Sequence, residues 1–127
     1  MATRTRILAL LALIMANAGH AGEVILDVSG NRSTTTRSFE VEGPWLLEWR
    51  VNSDFRDQTG FELNLMNADT GFFESRILLT RRTGNGLKLF SETGRFQFEV
   101  VSNFADWYLT VEALSEEEAA AYREASN

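Results

Sequence analysis

The 127-residue chain contains no cysteine, a single histidine (His20), a single proline (Pro44) and a single lysine (Lys88). The lack of cysteine excludes disulfides, a thiol nucleophile and a lipid anchor attached to an N-terminal cysteine. His20 falls inside an N-terminal segment that has the form of a signal peptide. Arg4 and Arg6 supply its positive start, residues 7–16 are apolar, and small residues offer cleavage at Ala16-Asn17-Ala18 or Gly19-His20-Ala21. Ten apolar residues are too few to cross a bilayer, which takes roughly 20. Removal of residues 1–21 leaves neither histidine nor cysteine. A serine–histidine triad, a cysteine protease, a histidine zinc site and a thiol redox centre are then excluded together. The expected product is an exported domain, periplasmic or extracellular, with no membrane anchor.

Basic charge is also scarce. The whole chain has 12 basic residues and 18 acidic ones, and loss of Arg4 and Arg6 leaves a net charge of −8. A general nucleic-acid binder needs a basic stripe to displace counterions from phosphates, and this chain shows none. An anionic membrane surface is disfavoured for the same reason.

What the chain does have is alternation. Apolar residues recur with period two over residues 23–113, broken at short intervals by turn residues. Val24, Leu26 and Val28 form one face of a first strand, and Phe39 and Val41 mark a second. Pro44 opens the third, where Trp45, Leu47, Trp49 and Val51 project to one side. Phe61, Leu63 and Leu65 follow, then Phe73, Ile77 and Leu79 beyond a turn at residues 67–71. Gly84-Asn85-Gly86 is a further turn signal, with Leu87 and Leu89 after it. Phe96, Phe98 and Val100 lead to Trp107, Leu109 and Val111.

The pattern predicts an all-β sandwich of about eight antiparallel strands over residues 22–114, either a jelly roll or another Greek key. If the last two strands form a hairpin, Val100 faces Trp107 and Phe98 faces Leu109. If the third and fourth do so about Arg56, Trp49 faces Leu63, Val51 faces Phe61 and Arg50 meets Glu62. Pairing across the next turn brings Arg76 beside Glu62 as well. Residues 115–127 switch to a short C-terminal helix. There Ser115 and Glu118 form a capping box, and Tyr122 and alanines offer a docking face.

Phe39-x-Val41-x-Gly43-Pro44-Trp45 and Gly94-x-Phe96-x-Phe98-x-Val100 before Trp107-x-Leu109-x-Val111 give the chain a resemblance to small extracellular jelly-roll modules, the prepeptidase C-terminal-like and CUB-like domains. That resemblance implies a non-catalytic binding or accessory role.

Trp45, Trp49 and Trp107 alternate in phase with aliphatic residues and are expected in the core. Phe72, Phe104 and Tyr108 are out of phase, and Phe55, like Phe104, sits at a loop tip, where the two either form a contact patch or cap the ends of the sandwich. These four are the expected binding residues. Asn52, Asp54 and Asp57 share one loop and Asn67 and Asp69 one turn, but neither group has a calcium-loop spacing, so no metal or cofactor is assigned. Three functions follow. The first is a binding module for a protein or a glycan. The second is a small glycan hydrolase acting through carboxylates such as Glu48 and Glu62 on one outer face beside Arg50 and Arg76. The third is a structural envelope component that self-associates through an edge strand.

Overall fold

The computed structural model describes residues 22–126; the expected signal peptide and its cleavage positions lie outside the described residues. The alternating segments form β1 (Glu23–Gly30), β2 (Thr34–Thr35), β3 (Phe39–Val41), β4 (Trp45–Asn52), β5 (Gly60–Asn67), β6 (Phe73–Thr80), β7 (Gly84–Phe90), β8 (Gly94–Asn103) and β9 (Asp106–Ala113), followed by helix α1 (Glu116–Ser126). A single 3-10 turn, Arg56–Gln58, interrupts the β4–β5 connection.

Two antiparallel sheets result. The first has the order β1-β9-β4-β7, and the second β2-β8-β5-β6 with β3 also paired to β8. Thr36 lies between β2 and β3. Its amide donates to the Phe98 carbonyl at 2.9 Å and its hydroxyl accepts from the Phe98 amide at 3.0 Å. The two segments thus act as one interrupted strand. With that strand counted once, the ladders join first to eighth, second to seventh, third to sixth and fourth to fifth. This is one long antiparallel hairpin rolled into two facing sheets, a jelly roll. The all-β sandwich expected from the alternation is the fold, and the strand order decides in favour of the jelly roll.

The core lies between the sheets. Trp45 is fully buried, stacked on Phe90 with centroids 4.0 Å apart and edge-on to Phe39 at 5.3 Å. Its indole N–H donates to the Glu92 carbonyl at 3.0 Å, so the one polar atom of this ring is satisfied. Trp107 is buried and donates to the Arg32 carbonyl at 3.1 Å. Trp49 is half-buried and packs against the same cluster. Trp107 and Trp49 each lie over a glycine on an edge strand, Gly30 on β1 and Gly86 on β7. A Cβ at either glycine would come within 2.7 Å of the ring.

Several expected partners are corrected. β8 and β9 belong to different sheets, as do β4 and β5. Phe98 is paired with Leu65, and Leu109 with Trp49 and Val28. The expected hairpins matched apolar to apolar, but facing sheets satisfy that match as well as neighbouring strands do. Val24 is exposed because a bulge at Ile25 shifts the phase of β1. Two irregularities in the β5–β6 ladder do the same on β6, so Phe73 and Leu79 face solvent while Ile77 and Leu78 pack inward. Arg76 does reach Glu62, at 3.6 Å.

The capping box forms as expected. The Glu118 amide donates to the Ser115 hydroxyl at 3.1 Å, and the Ser115 amide donates to the Glu118 carboxylate at 2.7 Å. Helix α1 covers the outer face of the first sheet at one end, where Ala119 and Tyr122 pack with Leu46, Leu89 and Leu114.

Candidate functional site

Four connections meet at the end of the sandwich away from α1: residues 31–33, 53–59, 81–83 and 104–105. Hydrogen bonds hold three of them, 31–33, 53–59 and 104–105, in place. The Ser102 amide donates to the Ser33 hydroxyl at 2.8 Å, and the Ser102 hydroxyl donates to the Ala105 carbonyl at 2.9 Å. The Asn103 amide side chain donates to the Gln58 carbonyl at 3.1 Å, and the buried Thr59 hydroxyl to the Phe55 carbonyl at 2.8 Å. The Ser53 hydroxyl ties the 53–59 loop to the 104–105 loop. It donates to the Phe104 carbonyl and accepts from the Phe55 amide at 3.0 Å.

This scaffold places Phe55 and Phe104 together, with ring centroids 5.2 Å apart and about half of each residue exposed. Phe104 has φ +55°, the left-handed region. That backbone state is rare and unfavourable for a bulky side chain, yet the ring it positions is not used in the core. The two rings border an open hollow of about 260 Å³ lined also by Asn31, Asp54 and Asp106. Asn31 and Asp106 continue into a second hollow of about 300 Å³, with Ser29 and Tyr108. Tyr108 in turn borders a third, of about 170 Å³, on the outer face of the first sheet with Glu48, Arg50, Asn85 and Thr110. Strand register explains this last group: Tyr108 on β9 stands opposite Ser29 on β1 and Arg50 on β4, and Arg50 stands opposite Asn85 on β7. The Arg50 guanidinium lies 4.7 Å from the Tyr108 ring centre, within cation–π range.

Three of the four expected binding residues therefore share one end of the molecule, Phe55 and Phe104 in contact and Tyr108 one hollow away. Phe72 does not join them. It is exposed beside the β5–β6 turn at the opposite end. In that turn the Asn67 side chain accepts from the Asp69 and Thr70 amides at 2.9 and 3.1 Å, and Asp69 pairs with Arg95 at 2.7 Å. Asn67 is thus engaged by its own turn and the Asp69 carboxylate by Arg95 on β8. Glu48 and Glu62 do not share a face. Glu48 stands on the outer face of the first sheet and Glu62 on the outer face of the second, so the whole core separates them. Glu62 instead shares the Asn64 side-chain amide with Glu99, at 3.1 and 3.0 Å. Asn31 and Asp106, and the arginines Arg56, Arg81 and Arg82 that line a further hollow at the same end, are residues that sequence reasoning missed. Their spacing carries no signal, because they come from four different loops and strands.

No family model matches the chain, and no curated protein matches it. Among solved structures it is similar to a carbohydrate binding module from Cellvibrio mixtus lichenase 5A, determined in complex with cellotriose. The identity is 15%, the match covers 72% of this chain and 99% of that one, and the TM-score is 0.43. A likeness of that size says nothing about the ligand of this chain.

Proposed function

We propose that this domain is a non-catalytic binding module, exported from the cytoplasm, that holds an oligosaccharide along its loop end. The observation that carries the reading is the continuity of the three hollows, which share Asn31, Asp106 and Tyr108 as common walls. A sugar ring offers an apolar C–H face and a rim of hydroxyls. Exposed Phe55, Phe104 and Tyr108 suit the face, while Asp54, Asp106 and Glu48 accept from the rim and Asn31 and Asn85 can both donate and accept. Shallow linked hollows suit several residues of a chain better than one compact small molecule, which is usually enclosed in a deep pocket. Loops fixed to one another before binding lose little freedom when the ligand arrives.

Titration of the isotopically labelled domain with a panel of neutral oligosaccharides, followed by amide chemical shifts, tests this. Expected are shifts grouped at Asn31, Phe55, Phe104, Asp106 and Tyr108, and roughly tenfold weaker binding for Phe55→Ala and for Tyr108→Ala, about 1.4 kcal/mol each. Shifts confined to the second sheet overturn the placement of the site. Turnover of the bound sugar that disappears in Glu48→Gln overturns the non-catalytic reading.

Self-association is the second reading, favoured by the exposure of Phe72, Phe73 and Leu79 along and beside the edge strand β6. A sedimentation coefficient that rises with concentration in the native chain and not in Leu79→Lys supports it. A strict monomer removes it.

A further inference from the structure

The train of hollows does not end at the phenylalanine pair. On its far side Phe104 and Asn103 border another opening, of about 400 Å³, with Arg81, Thr59 and one acid, Asp57. Arg81 and Thr59 lead on to a hollow of about 320 Å³ lined by Arg56, Arg82 and Thr83 as well. Three arginines thus line one hollow in a domain whose acidic residues outnumber its basic ones 18 to 10 once residues 1–21 are set aside.

The ion pairs among the described residues are Arg76 with Glu62 and Arg95 with Asp69. None involves Arg56, Arg81 or Arg82, although Asp57 follows Arg56 directly in the chain. Their clustering is imposed by two loops. Arg56 starts the 3-10 turn, and Arg81 and Arg82 occupy the short β6–β7 turn, where the Arg82 amide donates to the Thr80 hydroxyl at 3.0 Å. Like charges held side by side repel one another, and an anion placed among them removes that repulsion. Guanidinium forks match the paired oxygens of carboxylate, sulfate and phosphate, and the Thr83 hydroxyl adds a neutral donor, that of Thr59 being given to the Phe55 carbonyl.

The other half of the train carries an acidic excess, with Asp54 and Asp106 beside the phenylalanines and Glu48 beside a single Arg50 beyond Tyr108. A uniformly charged polyanion would meet repulsion there. We propose that Arg56, Arg81 and Arg82 form an anion site that receives a single acidic substituent of a glycan whose neutral sugars lie against Phe55, Phe104 and Tyr108. This inference rests on the reading of the groove given above.

The test compares xylotetraose with the same oligosaccharide carrying one glucuronic acid, by calorimetry and amide shifts, with inorganic sulfate and phosphate as separate probes. Expected is roughly tenfold tighter binding of the acidic oligosaccharide, a preference that collapses in half-molar sodium chloride and in the double variant Arg56→Gln, Arg82→Gln. Equal binding of the two oligosaccharides, or a preference that persists in the double variant, overturns the anion site and leaves the groove standing. Shifts at Arg81 and Arg82 with sulfate or phosphate, while neither oligosaccharide binds, overturn the groove and with it the glycan origin of the anion. No response to any probe overturns both.

Discussion

Two aromatic clusters at opposite ends of the sandwich are used in opposite ways. At the α1 end, Trp45, Phe39, Phe90 and Phe96 form one packed cluster at the base of the core, each at or below 5% exposure. At the loop end, Phe55 and Phe104 touch only at the surface, and one of them adopts an unfavourable backbone state to do so. Rings buried in contact with other rings contribute to stability through lost water contact and dispersion. Rings held in solvent by hydrogen-bonded loops contribute little of either. The difference separates the part of the chain that maintains the fold from the part able to contact something else.

That contrast can be broken most directly by truncating a ring at each end. Trp45→Ala is expected to cost about 3–5 kcal/mol, read as a fall in the urea midpoint. Phe55→Ala should stay within about 0.5 kcal/mol of the native chain, and equal losses would remove the distinction. A smaller effect is expected at the helix. Ser115→Ala deletes the acceptor for the Glu118 amide and should cost about 1 kcal/mol, measured by thermal unfolding, with ligand shifts at the loop end unchanged.

The α1 end should also respond to alkali. Burial first, then the charges of Glu112, Glu118 and Glu48, raise the Tyr122 hydroxyl above its ordinary value of 10.0. The folded chain therefore keeps this proton at a pH where the unfolded chain has released it. The associated stability is complete below pH 10 and is lost as pH rises through the raised value. Unfolding followed between pH 9 and 12 should show a decline that is shallower in Tyr122→Phe. The smallest effect is reserved for Phe104→Asn. Asparagine tolerates the left-handed region, so loss of ring contact and relief of the backbone roughly offset, and the midpoint should barely move while oligosaccharide binding falls.

The faces of most strands were legible along the chain, since period-two alternation follows directly from the pleat. Trp45, Leu47 and Val51 point inward as their phase requires, and the Ser115–Glu118 cap is local enough to be read from four residues. The exceptions, Val24, Phe73 and Leu79, come from bulges, which add a residue and invert the phase without marking the composition. Phe55, Phe104 and Tyr108 were recognisable as rings with no place in the core, and Phe55 and Phe104 as a candidate patch at loop tips, but not Tyr108 as their neighbour.

Local sequence determined the all-β character, the inward faces and the helix cap, because each depends on residues within one strand or one turn. Which strand lies beside which was decided only in three dimensions. Apolar faces match equally well across a ladder and across the gap between sheets, so β4 and β5, or β8 and β9, could be read either way until the sandwich closed. The same closure gathers Asn31, Arg56, Arg81 and Asp106 from four separate stretches of chain at one end. No spacing in the sequence records that proximity, because it is a property of the roll and not of any segment within it.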